Sequence, residues 1–170
     1  QNLVADLQSG ASFSFDGSDD VVSVAHSTSV EPLTGGFTAS CWFKTSMASN
    51  VRVPLLDKRQ PTYNAGWNFY LGTEDKFVSS IEDSVGSLVD AASSVVEAKD
   101  GNWHQAVMTF SRGTTNTINF YLDGINVGAV TTTNVQGSVT NAGVPLNIGR
   151  FEDSAGTVKW MDGQISQVRL

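Results

Sequence analysis

The sequence predicts an all-β protein built as two antiparallel sheets packed face to face. Three observations carry this. Apolar residues recur with period two in short runs, most clearly in Trp103–Phe110 and Thr117–Leu122. Turn signals, among them Asp16-Gly17, Asp100-Gly101 and Asp123-Gly124, punctuate the runs at roughly the 8–12-residue spacing of sandwiches and barrels. No segment reads as a crossover helix, which argues against a parallel sheet.

Taken in order, residues 1–11 are a linker or an edge strand, and 12–170 form one domain, large enough for a proper core. Ser12–Phe15 and Val21–Ala25 are short strands around the Asp16-Gly17-Ser18 turn. Glu31–Gly36 is a loop with room for one helical turn. Phe37–Lys44 is a strand with Phe37, Ala39, Cys41 and Phe43 on one face, so Cys41 is expected to be a buried, inert thiol. Val51–Leu56, Gly66–Leu71 and Lys76–Ile81 follow as strands. Residues 83–98 are ambiguous. Val85, Leu88, Val89, Ala92, Val95 and Val96 have helical spacing, but Gly86, the serine pairs and the β-branched residues oppose a helix, so two short strands are expected. In Trp103–Phe110, His104 shares the apolar face with Ala106, Met108 and Phe110, the position of a structural histidine. Ile125–Thr131 is the hairpin partner of Thr117–Leu122 across Asp123-Gly124. Leu146–Arg150 and Gly163–Leu170 are the last strands, with Phe151–Gly156 a loop.

Composition excludes several functions. The chain has 17 Asp and Glu against 10 scattered Lys and Arg, a formal charge of -7, so no basic face exists to hold a nucleic acid or an anionic membrane. No run of apolar residues is long enough to span a bilayer. One cysteine permits no disulfide framework. The chain opens on Gln1, which reads as a mature form or an excised piece.

Six segments, in order and at family spacing, resemble a laminin-G-like, concanavalin A-like jelly-roll domain: SFSFDGSDDVVSV (12–24), GGFTASCWFK (35–44), NWHQAVMTF (102–110), INFYLDGINVG (118–128), LNIGR (146–150) and DGQISQVRL (162–170). The resemblance implies a jelly-roll β-sandwich outside the cell, on a cell surface or on a virion, within a longer chain or assembly. Its fold hosts many functions, so the residues must choose among them. Ser166 and Gln167 stand where the family usually carries Asp-Glu, so the structural calcium that related domains hold there is not implied here.

Catalysis is not expected. Sandwich glycosidases need paired carboxylates facing the substrate from one strand, and none of the five glutamates makes that pattern. No Gly-x-Ser-x-Gly elbow accompanies His26 or His104. For a metal, the segments DKRQPTYNAGWNFYLG and IGRFEDSAG resemble the calcium loops of pentraxins, which implies Asn64, Glu152 and Asp153 as oxygen donors, with a backbone carbonyl open to the first two, and calcium as an assisting ion. A second acidic group, Asp16, Asp19, Asp20 and Asp162, is better explained by turn chemistry. For a glycan, stacking platforms are expected at Tyr63, Trp67, Phe151 and Trp160, in or beside those loops, with Trp42 and Trp103 assigned to core or sheet packing. The expected function is a non-catalytic binding or adhesion module for a carbohydrate or surface-protein partner. The alternative is a structural or attachment domain of a phage particle or bacterial surface fibre, and a glycoside hydrolase is the remote one.

Overall fold

In the computed structural model, which describes residues 11–32, 34–59, 65–153 and 155–170, the expected two-sheet sandwich forms. The first sheet holds β1 (Phe13–Asp16), β14 (Asp162–Arg169), β3 (Phe37–Lys44), β8 (Trp103–Ser111), β9 (Asn116–Leu122) and β10 (Ile125–Thr132), in that spatial order. The second holds β2 (Val22–Val24), β11 (Leu146–Ile148), β4 (Val53–Asp57), β5 (Gly66–Leu71), β6 (Lys76–Glu82) and β7 (Leu88–Val95). A small hairpin of β12 (Arg150–Glu152) and β13 (Val158–Trp160) stands apart from both. All the strand pairings are antiparallel.

The core lies between the sheets and is built by the period-two alternation. In β3, Ala39, Cys41 and Phe43 are buried and Phe37 partly so; in β8, Ala106, Met108 and Phe110 are buried. Aromatic contacts join the sheets: Phe69 on β5 meets Phe120 on β9 at 6.1 Å, and Phe43 on β3 meets Phe77 on β6 at 6.2 Å. Burial pushes the Cys41 thiol up to about 12, so it is inert in the native state, as expected.

Three segments depart from expectation. Residues 83–98 form one eight-residue strand rather than two. Asp83 ends β6 with a tight turn, its Oδ1 accepting the Val85 and Ser87 amides and its Oδ2 that of Gly137. Val89 and Ala91 then face the core, while Val85 and Val95 are 78% and 64% exposed, so the helical spacing among the valines has no packing behind it. Residues 151–156 are not simply a loop. Asp153 closes a turn that pairs Arg150–Glu152 with Val158–Trp160. Among the described residues, the one helical turn falls at Thr28–Val30, before the expected loop.

The Asp100–Gly124 region behaves as a clamp. Asp123 and Gly124 have φ of 50° and 81°, the left-handed pair that a two-residue hairpin turn requires. His104 faces inward at the end of the apolar row, where Nδ1 lies 2.8 Å from Asp123 Oδ2 and Nε2 lies 3.1 Å from Asp100 Oδ1. Burial alone would lower the imidazole pKa, but the hydrogen bonds to Asp123 and Asp100 outweigh it and hold it above the usual histidine value. The Asn102 amide, helped by the Asn102 side chain and His104, draws Asp100 down to about 2. A raised histidine pKa stabilises the fold fully below the unfolded value of about 6.5 and is lost as pH rises through the folded value. Thermal melts from pH 6 to 8.5 are therefore expected to show a falling Tm, with a shallower fall in His104→Gln.

Candidate functional site

The outward face of the second sheet carries a polar row that crosses every strand. Ser23, Asn147, Asp57 and Asn68 are register partners on β2, β11, β4 and β5. The Asn68 Oδ1 accepts the Ser80 amide of β6 at 2.8 Å, and Ser80 faces Asp90 on β7. These residues point outward because their neighbours along each strand, such as Leu146 and Ile148 or Trp67 and Phe69, point into the core.

The row is roofed by the β12–β13 hairpin. Gly149, with φ of 81°, lets the chain leave the second sheet where a side chain would strike the Phe15 ring. Phe151 then stacks on the outward Tyr70 with ring centroids 4.7 Å apart, which pins the hairpin over the sheet. A cavity of about 330 Å³ opens on one side, lined by Trp160, Asp57, Asn147, Arg59, Arg150 and Glu152 among others. One of about 390 Å³ opens on the other, with Tyr70, Asn68, Asp90 and Arg52. Arg59 and Glu152 line both.

Charges here are paired off. Arg59 grips Glu82 Oε2 through Nη2 at 2.6 Å and Nε at 3.1 Å. Arg150 lies 3.5 Å from Glu152 and sits over the Trp160 ring, 5.6 Å from its centroid. Asp57 is only 2% exposed, and its Oδ1 accepts the Arg59 amide at 3.2 Å. Burial pushes its carboxyl up to about 8, against the opposing pull of that amide and of Arg150 and Arg59. At neutral pH it is mostly a neutral acid that can donate as well as accept. Its linkage has a definite sign: the native state keeps a proton that the unfolded chain releases near pH 4, so stability falls as pH rises from about 4 to 8. Asp57→Asn is expected to raise the Tm at pH 8 and to leave it nearly unchanged at pH 4. A buried carboxyl with a shifted titration that lines a cleft is a candidate functional position.

A profile of the concanavalin A-like lectin/glucanases superfamily, in its laminin G form, matches residues 16–170. The chain belongs to this superfamily. No curated protein sequence matches it. Among solved structures, this concanavalin A-like domain is similar to the binding domain of Paraclostridial Mosquitocidal Protein 1, at TM-score 0.64 and 15% identity over 92% of this chain and 40% of that one. It is similar to mouse laminin alpha1 domains LG4-5, at TM-score 0.63 and 15% identity over 88% and 38%. It is also similar to the CBM40 of the Ruminococcus gnavus IT-sialidase, bound there to alpha2,3-sialyllactose, at TM-score 0.56 and 11% identity over 93% and 89%. The chain spans about two fifths of the length of the first two. No helix among the described residues is long and apolar enough to cross a membrane.

The sandwich rearranges the expected site. Trp160 is partly exposed and lines the cleft. Trp67 is corrected: it is fully buried against Phe37, 5.0 Å between centroids, because it alternates with Phe69 and Leu71 on the core face of β5. Phe151 is also corrected, since it is 3% exposed and its ring face is taken by Tyr70; it positions the roof and offers no platform. Tyr63 and Asn64 lie outside the described residues. Trp42 is partly exposed and Trp103 is 38% exposed, and both face outward on the first sheet.

The expected calcium donors are otherwise engaged. Asp153 Oδ1 accepts the Ala155 and Thr157 amides, and Oδ2 faces Arg52 at 3.3 Å and Lys159 at 3.5 Å. Glu152 faces Arg150. A calcium ion on the Asp153 carboxylate would have to displace these cations. Asp16, Asp19 and Asp20 do cluster within 4.8 Å, without Asp162, but Asp20 Oδ2 accepts the Asp16 amide and Asp16 Oδ1 that of Ser18. That is turn chemistry.

Sequence reasoning missed Asp57, Arg59, Asn68, Tyr70, Asp90, Asn147 and Arg150. The outward positions of Asn68, Tyr70 and Asn147 were readable from alternation. Their convergence was not, because it depends on which strands pair.

Proposed function

We propose that this domain is a non-catalytic glycan-binding module, acting outside the cell or on a cell or particle surface, and that its ligand lies in the cleft between the second sheet and the β12–β13 hairpin. The observation that carries this is the Trp160 ring set beside the buried polar row of Asp57 and Asn147 in one cavity. An aromatic platform with a few fixed hydrogen-bonding groups is what a sugar site requires. The binding of sialyllactose by a protein of the same fold supports the class of ligand.

Calorimetry against the best ligand from a glycan array tests the proposal. Trp160→Ala is expected to weaken binding by about tenfold or more, roughly 1.4 kcal/mol. Trp103→Ala, on the other sheet, is expected to leave it unchanged. Because Asp153 is committed to Arg52 and Lys159, binding is expected to survive chelation. An array silent with and without calcium would refute the proposal.

One observation favours a second reading. Asp57, whose carboxyl burial pushes up to about 8, shares its cavity with Glu152, and two carboxyl groups of differing titration side by side are the equipment of glycoside hydrolysis. Chromatography of an oligosaccharide panel after prolonged incubation separates the two: binding without products is the expected result.

A further inference from the structure

The two cavities flanking the hairpin are neighbours with walls in common. They share Arg59 and Glu152, and the polar row runs beneath both. At about 330 and 390 Å³, each stands at the lower end of ligand-pocket sizes. A single small ring would fill one and leave the other to water.

Among the described residues, the arginines lining these cavities each face a carboxylate. Arg59 spends two donors on Glu82, Arg150 is set against Glu152, and Arg52 faces Asp153. At the far end Asp90 adds a carboxylate. A carboxylated sugar would have to break an Arg–Glu pair and leave the glutamate's negative charge beside its own. A hydroxyl meets no such barrier. It donates to Glu152, Asp90 or an asparagine Oδ1, and it accepts from an arginine N–H or an asparagine amide.

Resting on the glycan-binding proposal, we infer that the ligand is an uncharged oligosaccharide that occupies both cavities, and that Glu82 and Glu152 exclude acidic sugars by holding Arg59 and Arg150. The glutamates act as specificity determinants through the arginines they hold. Their role is to deny an acidic sugar its natural partner, one of the two ways in which binding sites discriminate. This separates the domain from fold neighbours crystallised with sialylated ligands, such as the CBM40 above.

The test is a glycan array carrying neutral chains of one to four residues beside their sialylated or uronate-bearing counterparts, followed by calorimetry on the wild-type domain. Affinity is expected to rise at least tenfold from one residue to three or four, and each acidic counterpart to bind more weakly than its neutral parent. Glu152→Gln is expected to narrow or reverse that preference by about tenfold, since it frees Arg150. Glu152 is a surface residue, its side chain about a quarter exposed, so the variant should fold, and its melt checks this. Tighter binding of an acidic chain by the wild type, or equal affinity for one residue and four, overturns this inference and leaves the glycan-binding proposal standing. Silence towards every glycan overturns both.

Discussion

Lys58→Met is expected to cost about 3–5 kcal/mol in urea unfolding, the usual penalty for stranding one member of a buried ion pair. Lys58 and Glu31 both have fully buried side chains, with Nζ 2.7 Å from Glu31 Oε1. The other Nζ donors go to the Asn141 and Val144 carbonyls at 2.7 and 2.6 Å, so every ammonium proton has an acceptor. Glu31 is held in turn by His26 Nδ1 at 3.0 Å and the Asn141 amide at 3.3 Å. Three distant stretches are tied together beside β4 by this one cation. Methionine fills the volume of the lysine stem but leaves the Glu31 carboxylate without its cation and takes the ammonium donors from the Asn141 and Val144 carbonyls. With total stabilities of about 5–15 kcal/mol, the loss would show plainly in the urea midpoint. The double variant Lys58→Met with Glu31→Leu is expected to recover much of it, because the stranded charge is then gone. A single variant within about 0.5 kcal/mol of wild type would contradict the assignment, since exposed pairs behave that way.

The second large effect is Trp67→Ala. A fully buried tryptophan at the Phe37 contact predicts a loss of about 3–5 kcal/mol from the cavity left behind. Its consequence for function is the opposite of what a ligand platform would give. Trp67→Phe, which keeps most of the volume, is expected to bind glycan with wild-type affinity at a temperature where it remains folded. Unaltered stability with lost binding would restore the tryptophan to the site and remove it from the core.

The contrast between Trp67 and Trp160 shows what the sequence made legible. Strands with clean alternation, Phe37–Lys44 and Gly66–Leu71, lie at the residues where periodicity put them. The same alternation pairs Trp67 with Phe69 and Leu71 and marks it as a core residue. Its closeness to a polar loop points the other way, and the packing follows the alternation. Trp160 was readable because it adjoins the Asp162-Gly163 turn in a stretch with few apolar neighbours. The strand that carries it was not, because Val158–Trp160 is three residues long and exists through the Asp153 turn. Asp57 and Lys58 were opaque for a deeper reason. Nothing local marks them; their roles come from Asn147 and Asn68 alongside one and Glu31 and Asn141 around the other, pairings made only when the sheet assembles. His104 fell between these cases. Its inward register was readable, and its two carboxylate partners came from the turns at either end of the same region.

The central claim is that a glycan lies across the polar row of the second sheet, under the β12–β13 hairpin. Nitrogen-15 chemical-shift mapping of the labelled domain, titrated with its best oligosaccharide ligand, tests it most directly. The predicted result is a contiguous set of perturbed signals from the amides of Asn68, Ser80 and Asn147 and the indole N–H of Trp160. Perturbations gathered instead around Trp42 and Trp103 on the first sheet, or around Asp16–Asp20, would contradict it.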